Sequence, residues 1–180
     1  VRSTWRVSSM SRNFMSDQWK SFDDVVDRLN SRDMISIYME DQLPWGYSGS
    51  AAHGYWWKYP EETFKDKCGH CYDLSAFALH CLAKNGYTNA KILFVRCGAL
   101  NQDSSGNGHA VVVQDEGTRF YTIDNGWIRG PYSAIDEVIV SASQSTKTKK
   151  ALACRFFYYS SIPYHTPYGE IYYGIIGWIP

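Results

Sequence analysis

The sequence predicts an α+β fold in which one apolar helix packs on an antiparallel sheet. The helix begins near Cys71 and ends at Asn85-Gly86, where the pair is typical of a helix C-cap. Turn-bounded apolar runs typical of strands follow it. Two of these runs are joined only by Asp115-Glu116-Gly117, which predicts an antiparallel pair. The chain of 180 residues suits one domain over 1–180, with the polar residues 1–20 as an N-terminal arm.

Two short helices are predicted ahead of the apolar helix. Ser21 and Ser31 each stand where an N-cap is expected, and acidic residues follow Ser21 in the first turn. The stretch 43–59 is rich in glycine and aromatic residues and is predicted to be a loop, after which Pro60 suits the first turn of another helix. The apolar positions at helical spacing are Val25, Val26 and Leu29, then Met34, Ile35 and Tyr38.

The apolar helix places a cysteine at its N-terminus. Its buried face is predicted to comprise Leu74, Phe77, Ala78, Cys81 and Leu82. The N-terminus of a helix carries partial positive charge and free backbone amides, which favour a thiolate and can hold an oxyanion. Cys71 therefore occupies a position that suits a nucleophile.

Strands are predicted over 92–97, 109–114 and 118–124, with a polar loop over 101–108. Ser133-Ala134-Ile135-Asp136 resembles a capping box and starts a short helix or strand that runs to Val140. Residues 145–150 form a solvated loop with no assigned binding role. The runs 151–159 and 170–179 are strand candidates that we expect to pair around 163–169.

The short join between the two central strands makes a geometric prediction about His109 and Asp124. A two-residue turn at Glu116-Gly117 would set His109 directly opposite Asp124. A three-residue loop would set His109 opposite Ile123, with Asp124 as a diagonal neighbour. Opposed side chains on one face have Cβ atoms about 5 Å apart, close enough for an imidazole–carboxylate hydrogen bond.

The composition limits the classes of partner and the cellular setting that can be argued from the sequence. Lysine plus arginine and aspartate plus glutamate both number 18, so the charge balance gives no argument for nucleic acid or an anionic membrane. No apolar run approaches the roughly 20 residues of a membrane span. The N-terminus lacks the apolar core of a secretory signal, but a processed chain would too, so location stays undetermined. Five cysteines are an odd number, which disfavours a fully paired disulfide framework.

Cys71 also belongs to a Cys68-x-x-Cys71 pair, so metal and redox sites are alternatives. A structural zinc site needs a second short pair of ligands, and the chain offers none, so we expect no metal there. A redox pair would put its first cysteine at the helix start, after a strand, and would leave His109 and Asp124 unexplained. A disulfide between the two cysteines would block a nucleophile at Cys71. The combination of Cys71, His109 and Asp124 favours a nucleophilic triad.

These motifs resemble the transglutaminase-like superfamily of cysteine enzymes over about residues 56–126. The order is Gly-x-Cys-x-Asp at a helix start, then His on one strand and Asp on the next. The closest likeness is to the bacterial transglutaminase-like cysteine proteinases. The matching positions are Trp57, Pro60, Glu61 and Glu62 before the helix, Gly69, Cys71 and Asp73 at its start, Val95-Arg96 on a strand, and Asp124-Asn125 at the end.

The resemblance implies a papain/transglutaminase-like core and a cysteine hydrolase that forms a thioester with a peptide or side-chain amide. Cys71 would be the nucleophile, His109 the base and Asp124 its orienting acceptor. The Trp56–Trp57 region would supply a second oxyanion donor, and His53 would line the cleft. The chain shows no obvious second domain for an amine acceptor, which favours hydrolysis over transfer to an amine. Those proteinases flank the cysteine with acidic residues that serve calcium, and this chain has only Asp73, so calcium dependence is in doubt and no other cofactor is expected.

The expected partner is a peptide, protein or peptide-crosslinked polymer. Three alternatives stay open. Two are enzymes of the same superfamily: a transglutaminase that transfers the acyl group to an amine, and an amidase that releases glycan from asparagine. The third is a non-catalytic peptide- or glycan-binding module, for which the aromatic content (7 Trp, 14 Tyr, 8 Phe) would supply the groove.

Overall fold

The computed structural model describes residues 21–46, 55–97, 108–146 and 151–167. Within these ranges the protein is α+β, as predicted, with five α-helices and a five-stranded antiparallel sheet. No helix in the same ranges is long and apolar enough to cross a membrane.

The first three helices begin where the sequence predicts. Helix α1 spans Phe22–Arg28 and α2 spans Arg32–Gln42, and the hydroxyl oxygens of Ser21 and Ser31 accept hydrogen bonds from backbone amides in the first turns. Helix α3, Pro60–Asp66, has its proline at the first helical position.

The sheet is built from five strands in the order β5-β4-β3-β2-β6, and every neighbouring pair is antiparallel. A separate two-stranded pair joins β1, Tyr55–Trp56, to β7, Thr166–Pro167, so the predicted loop over 43–59 contains a short strand. The five strands are β2, Ala90–Cys97; β3, Gly108–Asp115; β4, Phe120–Asp124; β5, Trp127–Tyr132; and β6, Ala151–Phe157.

Helices cover both faces of the sheet. Helix α4, Cys71–Lys84, packs on β2 and β3 and is itself contacted by α1, α2 and α3. Helix α5, Ile135–Ser143, covers a second apolar cluster formed with side chains of β2 and β3. Each fully buried aliphatic side chain contributes about 1.5–3 kcal/mol to the free energy of unfolding, so α4 is held in place mainly by its apolar surface. The predicted α4 face of Leu74, Phe77, Ala78, Cys81 and Leu82 is entirely buried.

Both predicted registers for the β3–β4 hairpin are wrong. Asp115 pairs with Phe120 and Val112 with Ile123, so the loop has four residues rather than two or three. The Asp115 carboxylate accepts the Gly117 backbone N–H at 2.8 Å, and Gly117 adopts a positive φ of 84°. The turn stabilised by this hydrogen bond contains Glu116–Arg119, and the pairing of β3 with β4 begins on either side of it. His109 and Asp124 are therefore diagonal neighbours, because the register sets Asp124 opposite Val111.

Strand β5 was not predicted from the sequence. Asp124 and Trp127 pair across a two-residue turn in which Asn125 and Gly126 have φ values of 50° and 96°. Asn-Gly is the preferred pair for a turn with two positive φ values, so the turn was a usable signal for a hairpin. The strand after this turn was not recognised because it contains Gly130-Pro131, and proline is rare inside strands.

Two further predictions are refined by the structure. The segment after Tyr132 is a helix, α5, whose N-cap is Ala134 rather than Ser133, since the Ser133 amide and hydroxyl both donate to the Glu137 carboxylate. Strand β6 ends at Phe157 and pairs with β2, and a 3-10 turn follows over Tyr159–Ser161. The strand candidate 170–179 lies outside the described residues.

Candidate active site

Cys71 is the first residue of α4, as predicted, and only 7% of its surface is exposed. The first helical hydrogen bond inside α4 runs from the Leu74 amide to the His70 carbonyl at 2.9 Å. The amides of the first turn, including that of Cys71, therefore have no acceptor within the helix. A thiol at this position lies at the positive end of the helix dipole.

Asp73 fixes the point at which α4 begins. Its carboxylate is completely buried, and its two oxygens accept the backbone amides of His70 and Lys58, each at 2.9 Å. Gly69 is needed for this approach, because a Cβ at that position would lie 2.7 Å from the Asp73 Cβ. Glycine and aspartate therefore hold the segment before Cys71, which explains their spacing around the cysteine.

The Lys58 side chain also holds the segment before Cys71, and no sequence pattern predicted this role. Its ammonium group is 1% exposed and donates to the Asp66 carboxylate at 2.8 Å and to the Cys68 carbonyl at 2.9 Å. A buried charge is tolerated only when it is paired and hydrogen-bonded, as here. The side chain ties the segment after β1 to the end of α3 and to the residues that lead into Cys71.

His109 and Asp124 meet directly beside Cys71. The His109 Nε2 lies 2.7 Å from the Asp124 Oδ1, and both side chains are buried. Cys71 lies close enough to the His109 ring to raise the pKa of His109, through side-chain hydrogen bonding and through its charge. Because Nε2 is engaged by Asp124, the ring leaves Nδ1 for the sulfur. The structure thus places the three predicted side chains close together despite the incorrect register.

The surroundings of His109 favour its imidazolium form. Burial by itself lowers the pKa of His109, but the hydrogen bonds to Asp124 and Cys71 and the charges of both partners outweigh burial and raise the pKa to about 10. The ring is therefore protonated at neutral pH. An imidazolium that donates to a cysteine stabilises the thiolate, which is the nucleophilic form of that side chain.

Arg129 extends this chain beyond the residues predicted. Its Nε lies 3.2 Å from the Asp124 Oδ2, so each Asp124 oxygen contacts a different basic side chain. Arg129 lies on β5 opposite Thr122, which is two residues from Asp124 on the same face of the sheet. Because strand β5 was not predicted, no sequence pattern placed Arg129 beside the triad.

His70 behaves differently, although it precedes Cys71 in the chain. Burial lowers the pKa of His70, the Asp73 carboxylate opposes that effect, and the Lys58 ammonium reinforces it. Its ring lies edge-on to Trp45, with centroids 5.7 Å apart. His70 is thus a neutral N-cap residue.

Of the residues predicted to supply an oxyanion donor or to line the cleft, only Trp57 has a described side chain. The Trp57 side chain is completely buried and packs on Tyr72 and Phe157, with ring centroids 5.4 and 5.3 Å away. The Trp57 ring therefore belongs to the core, and the second oxyanion donor predicted for the Trp56–Trp57 region stays a prediction. The backbone of Trp56 lies in β1, and its side chain, like His53, lies outside the described residues.

The cysteines are all free thiols in the structure, including Cys68 and Cys71. Across the ranges that the structure describes, no group of three or more His, Cys, Asp or Glu side chains is arranged to hold a metal ion. Asp73 does not fit a calcium ligand, because its buried carboxylate already accepts two backbone amides.

Comparison with known proteins adds no family to this geometry. No family model matches the chain, and no curated protein matches its sequence.

Proposed function

We propose that this protein is a cysteine hydrolase that cleaves a peptide or side-chain amide bond through a thioester. The observation that carries the proposal is the buried chain from Cys71 through His109 to Asp124 at the start of an apolar helix. A thiolate beside an imidazolium is a nucleophile paired with a proton donor. A papain/transglutaminase-like core is part of the proposal, supported by the order of these three residues along α4, β3 and β4.

The first half of the reaction forms the thioester. The Cys71 thiolate attacks the carbonyl carbon of the amide, and the Cys71 backbone amide stabilises the oxyanion. As the C–N bond breaks, His109 gives its Nδ1 proton to the departing amine. Asp124 holds the ring in place through Nε2. The amine leaves neutral, and the acyl group remains on sulfur.

The second half releases the acid. His109, now neutral, takes a proton from water, and the resulting hydroxide equivalent attacks the thioester carbonyl. Collapse of this intermediate breaks the C–S bond and returns the thiolate. His109 keeps the proton that it took from water, and the acid product loses its own proton to solvent, so the resting ion pair is restored. If an amine replaces water at this step, the product is a new amide rather than an acid.

The nucleophile is tested by alkylation with iodoacetamide and peptide mapping at neutral pH. We expect Cys71 to be labelled first. Cys71→Ala should abolish hydrolysis of a peptide library with the circular dichroism spectrum retained, while Cys68→Ala, the matched control, should keep most of the activity. Burial raises the pKa of the Cys81 thiol well above its usual range, so this thiol should label last. Preferential labelling of Cys68, or activity that survives Cys71→Ala, would contradict the proposal.

The fate of the thioester is tested by adding a primary amine to the same reaction. Hydrolysis predicts that acid products dominate by mass spectrometry at moderate amine concentrations. A dominant amide product would identify an acyltransferase, and free glycan released from a glycopeptide would identify a glycan-releasing amidase. An ordinary alkylation rate at Cys71, with ligand binding unchanged in Cys71→Ala, would identify a non-catalytic binding module.

A further inference from the structure

A cavity of about 500 Å³ lies directly behind the acidic member of the triad. It is open to solvent and is bounded by the C-terminal end of α2 and the residues that follow it on one side, and by the β4–β5 hairpin on the other. Its volume falls within the roughly 300–1,000 Å³ typical of ligand sites. The residues on which the inference depends are Glu40, Trp45, Asn125, Trp127, Arg129 and Ser145, with Asp124 also at the wall.

Two tryptophans of this cavity are unusually exposed. Trp45 is 50% exposed and Trp127 is 61% exposed, whereas Trp57 is completely buried in the core. Burying large aromatic rings is favourable, so two half-exposed indoles on one cavity leave apolar surface that a ligand could cover. An indole presents a flat apolar face, which suits a flat apolar partner such as the C–H face of a sugar ring.

The cavity also offers polar groups of both kinds. Asn125 lines the cavity, and its buried side-chain oxygen has no hydrogen-bond partner among the described residues. Arg129 uses its Nε for Asp124, which leaves the terminal amino groups of its guanidinium as donors. Glu40 and Ser145 are exposed at the wall and add a carboxylate and a hydroxyl. A ligand with several hydroxyl groups could satisfy donors and acceptors together.

We propose that this cavity is a saccharide subsite, so that the amide cleaved at Cys71 is carried on a sugar-bearing substrate. The inference rests on the proposed function and specifies its substrate class. A sugar ring supplies both an apolar face and several hydroxyls, which matches two exposed indoles set among separate donors and acceptors. An extended peptide that binds by adding backbone hydrogen bonds to the sheet edge is the less fitting occupant. The edge strand here, β5, contains Pro131, which lacks the amide that such pairing needs.

The position of the cavity connects binding to the catalytic residues. Arg129 contacts Asp124 and lines the cavity, and Asp124 in turn holds His109. A sugar bound against Arg129 would therefore lie next to the acid of the triad. This arrangement would keep the sugar portion of the substrate close to the bond that Cys71 attacks.

The subsite is tested by binding to Cys71→Ala protein, which cannot turn substrate over. The ligands are the trimer of N-acetylglucosamine, the glucose trimer cellotriose, and trialanine, each measured by calorimetry and by tryptophan fluorescence. We expect saturable binding of at least one sugar trimer and none of trialanine. Trp127→Ala and Trp45→Ala should each weaken that binding about tenfold or more, because each removes one stacking face. Tyr158→Ala, an exposed aromatic residue outside the cavity, is the matched control and should leave it unchanged.

The possible results separate the subsite from the catalytic proposal. Absence of sugar binding, binding of trialanine in its place, or sugar binding that survives both tryptophan variants would overturn the subsite. Alkylation of wild-type Cys71 by iodoacetamide is measured in parallel and needs no occupied cavity. Sugar binding with an inert thiol would overturn the proposed function alone, whereas a reactive thiol without sugar binding would overturn only the subsite.

Discussion

His70 and His109 both lie beside the Cys71 segment, yet their surroundings favour opposite protonation states. Burial acts on both rings and lowers the pKa of each. At His70 the Asp73 carboxylate does not reverse that effect, and the pKa stays below its ordinary value. At His109 the hydrogen bonds to Asp124 and Cys71 reverse it and raise the pKa to about 10. Direct hydrogen bonds to anions, rather than proximity in sequence, decide which histidine can act as an acid.

The difference reflects how each carboxylate is used. Both Asp73 oxygens accept backbone amides, so this carboxylate holds the chain in place and stabilises the charged form of the His70 ring only weakly. Asp124 gives one oxygen to the His109 ring itself. A buried carboxylate that accepts from an imidazolium stabilises the charged ring far more than one whose oxygens are taken by backbone.

The largest expected effect comes from exchanging each histidine for asparagine. His109→Asn should lower kcat/KM by roughly 10³-fold or more, because it removes the proton donor and the partner of the thiolate. His70→Asn, the matched control, keeps a capping residue and should change kcat/KM by less than about threefold. Steady-state kinetics of both variants, with circular dichroism to confirm folding, make the measurement. Comparable losses in the two variants would mean that His109 has no special role.

Asp124→Asn should have the next largest effect. We expect kcat/KM to fall by roughly 10²–10⁴-fold, because the amide orients the imidazole poorly and removes a stabilising charge. The same loss of charge lowers the pKa of His109. The alkaline limb of the rate profile, expected near pH 10 in the wild type, should therefore move to lower pH. An unmoved limb would show that Asp124 does not tune the histidine.

Stability should also depend on pH through His109. An unfolded histidine has a pKa of about 6.5, and the folded value is raised to about 10. The folded protein therefore binds the proton more tightly, so this stabilisation is fully present below about pH 6.5 and is lost as the pH rises toward about 10. Urea unfolding across that interval should show wild type losing its advantage over His109→Asn. A constant difference between the two proteins would contradict the raised pKa.

The sequence predicted the fold class and the start of α4 because both depend on local signals. Ser21, Ser31 and Pro60 mark helix starts through their own backbone chemistry, and the apolar period of α4 is strong. The β3–β4 register depends instead on which residue closes a turn, and the Asp115 carboxylate shifted it. Diagonal neighbours lie on the same face of a sheet, so His109 and Asp124 still meet although the predicted β3–β4 register is wrong. Lys58 and Arg129 contact the site only through tertiary packing, which sequence spacing does not encode.

The smallest effect is expected at Arg129. Its size tells whether Arg129 is needed to hold Asp124 against His109. The Arg129 side chain is half exposed, although Asp124 is buried, and a pair with a solvent-exposed cation contributes about 1 kcal/mol at most, so Arg129→Met should slow Cys71 alkylation by iodoacetamide only a few-fold. This small reagent does not need the adjoining cavity, so the rate reports on the triad alone. Arg119→Met, at an exposed loop arginine between β3 and β4, is the matched control and should leave the rate unchanged. A loss as large as that of Asp124→Asn would mean that Arg129, rather than the helix and sheet, holds the carboxylate against His109.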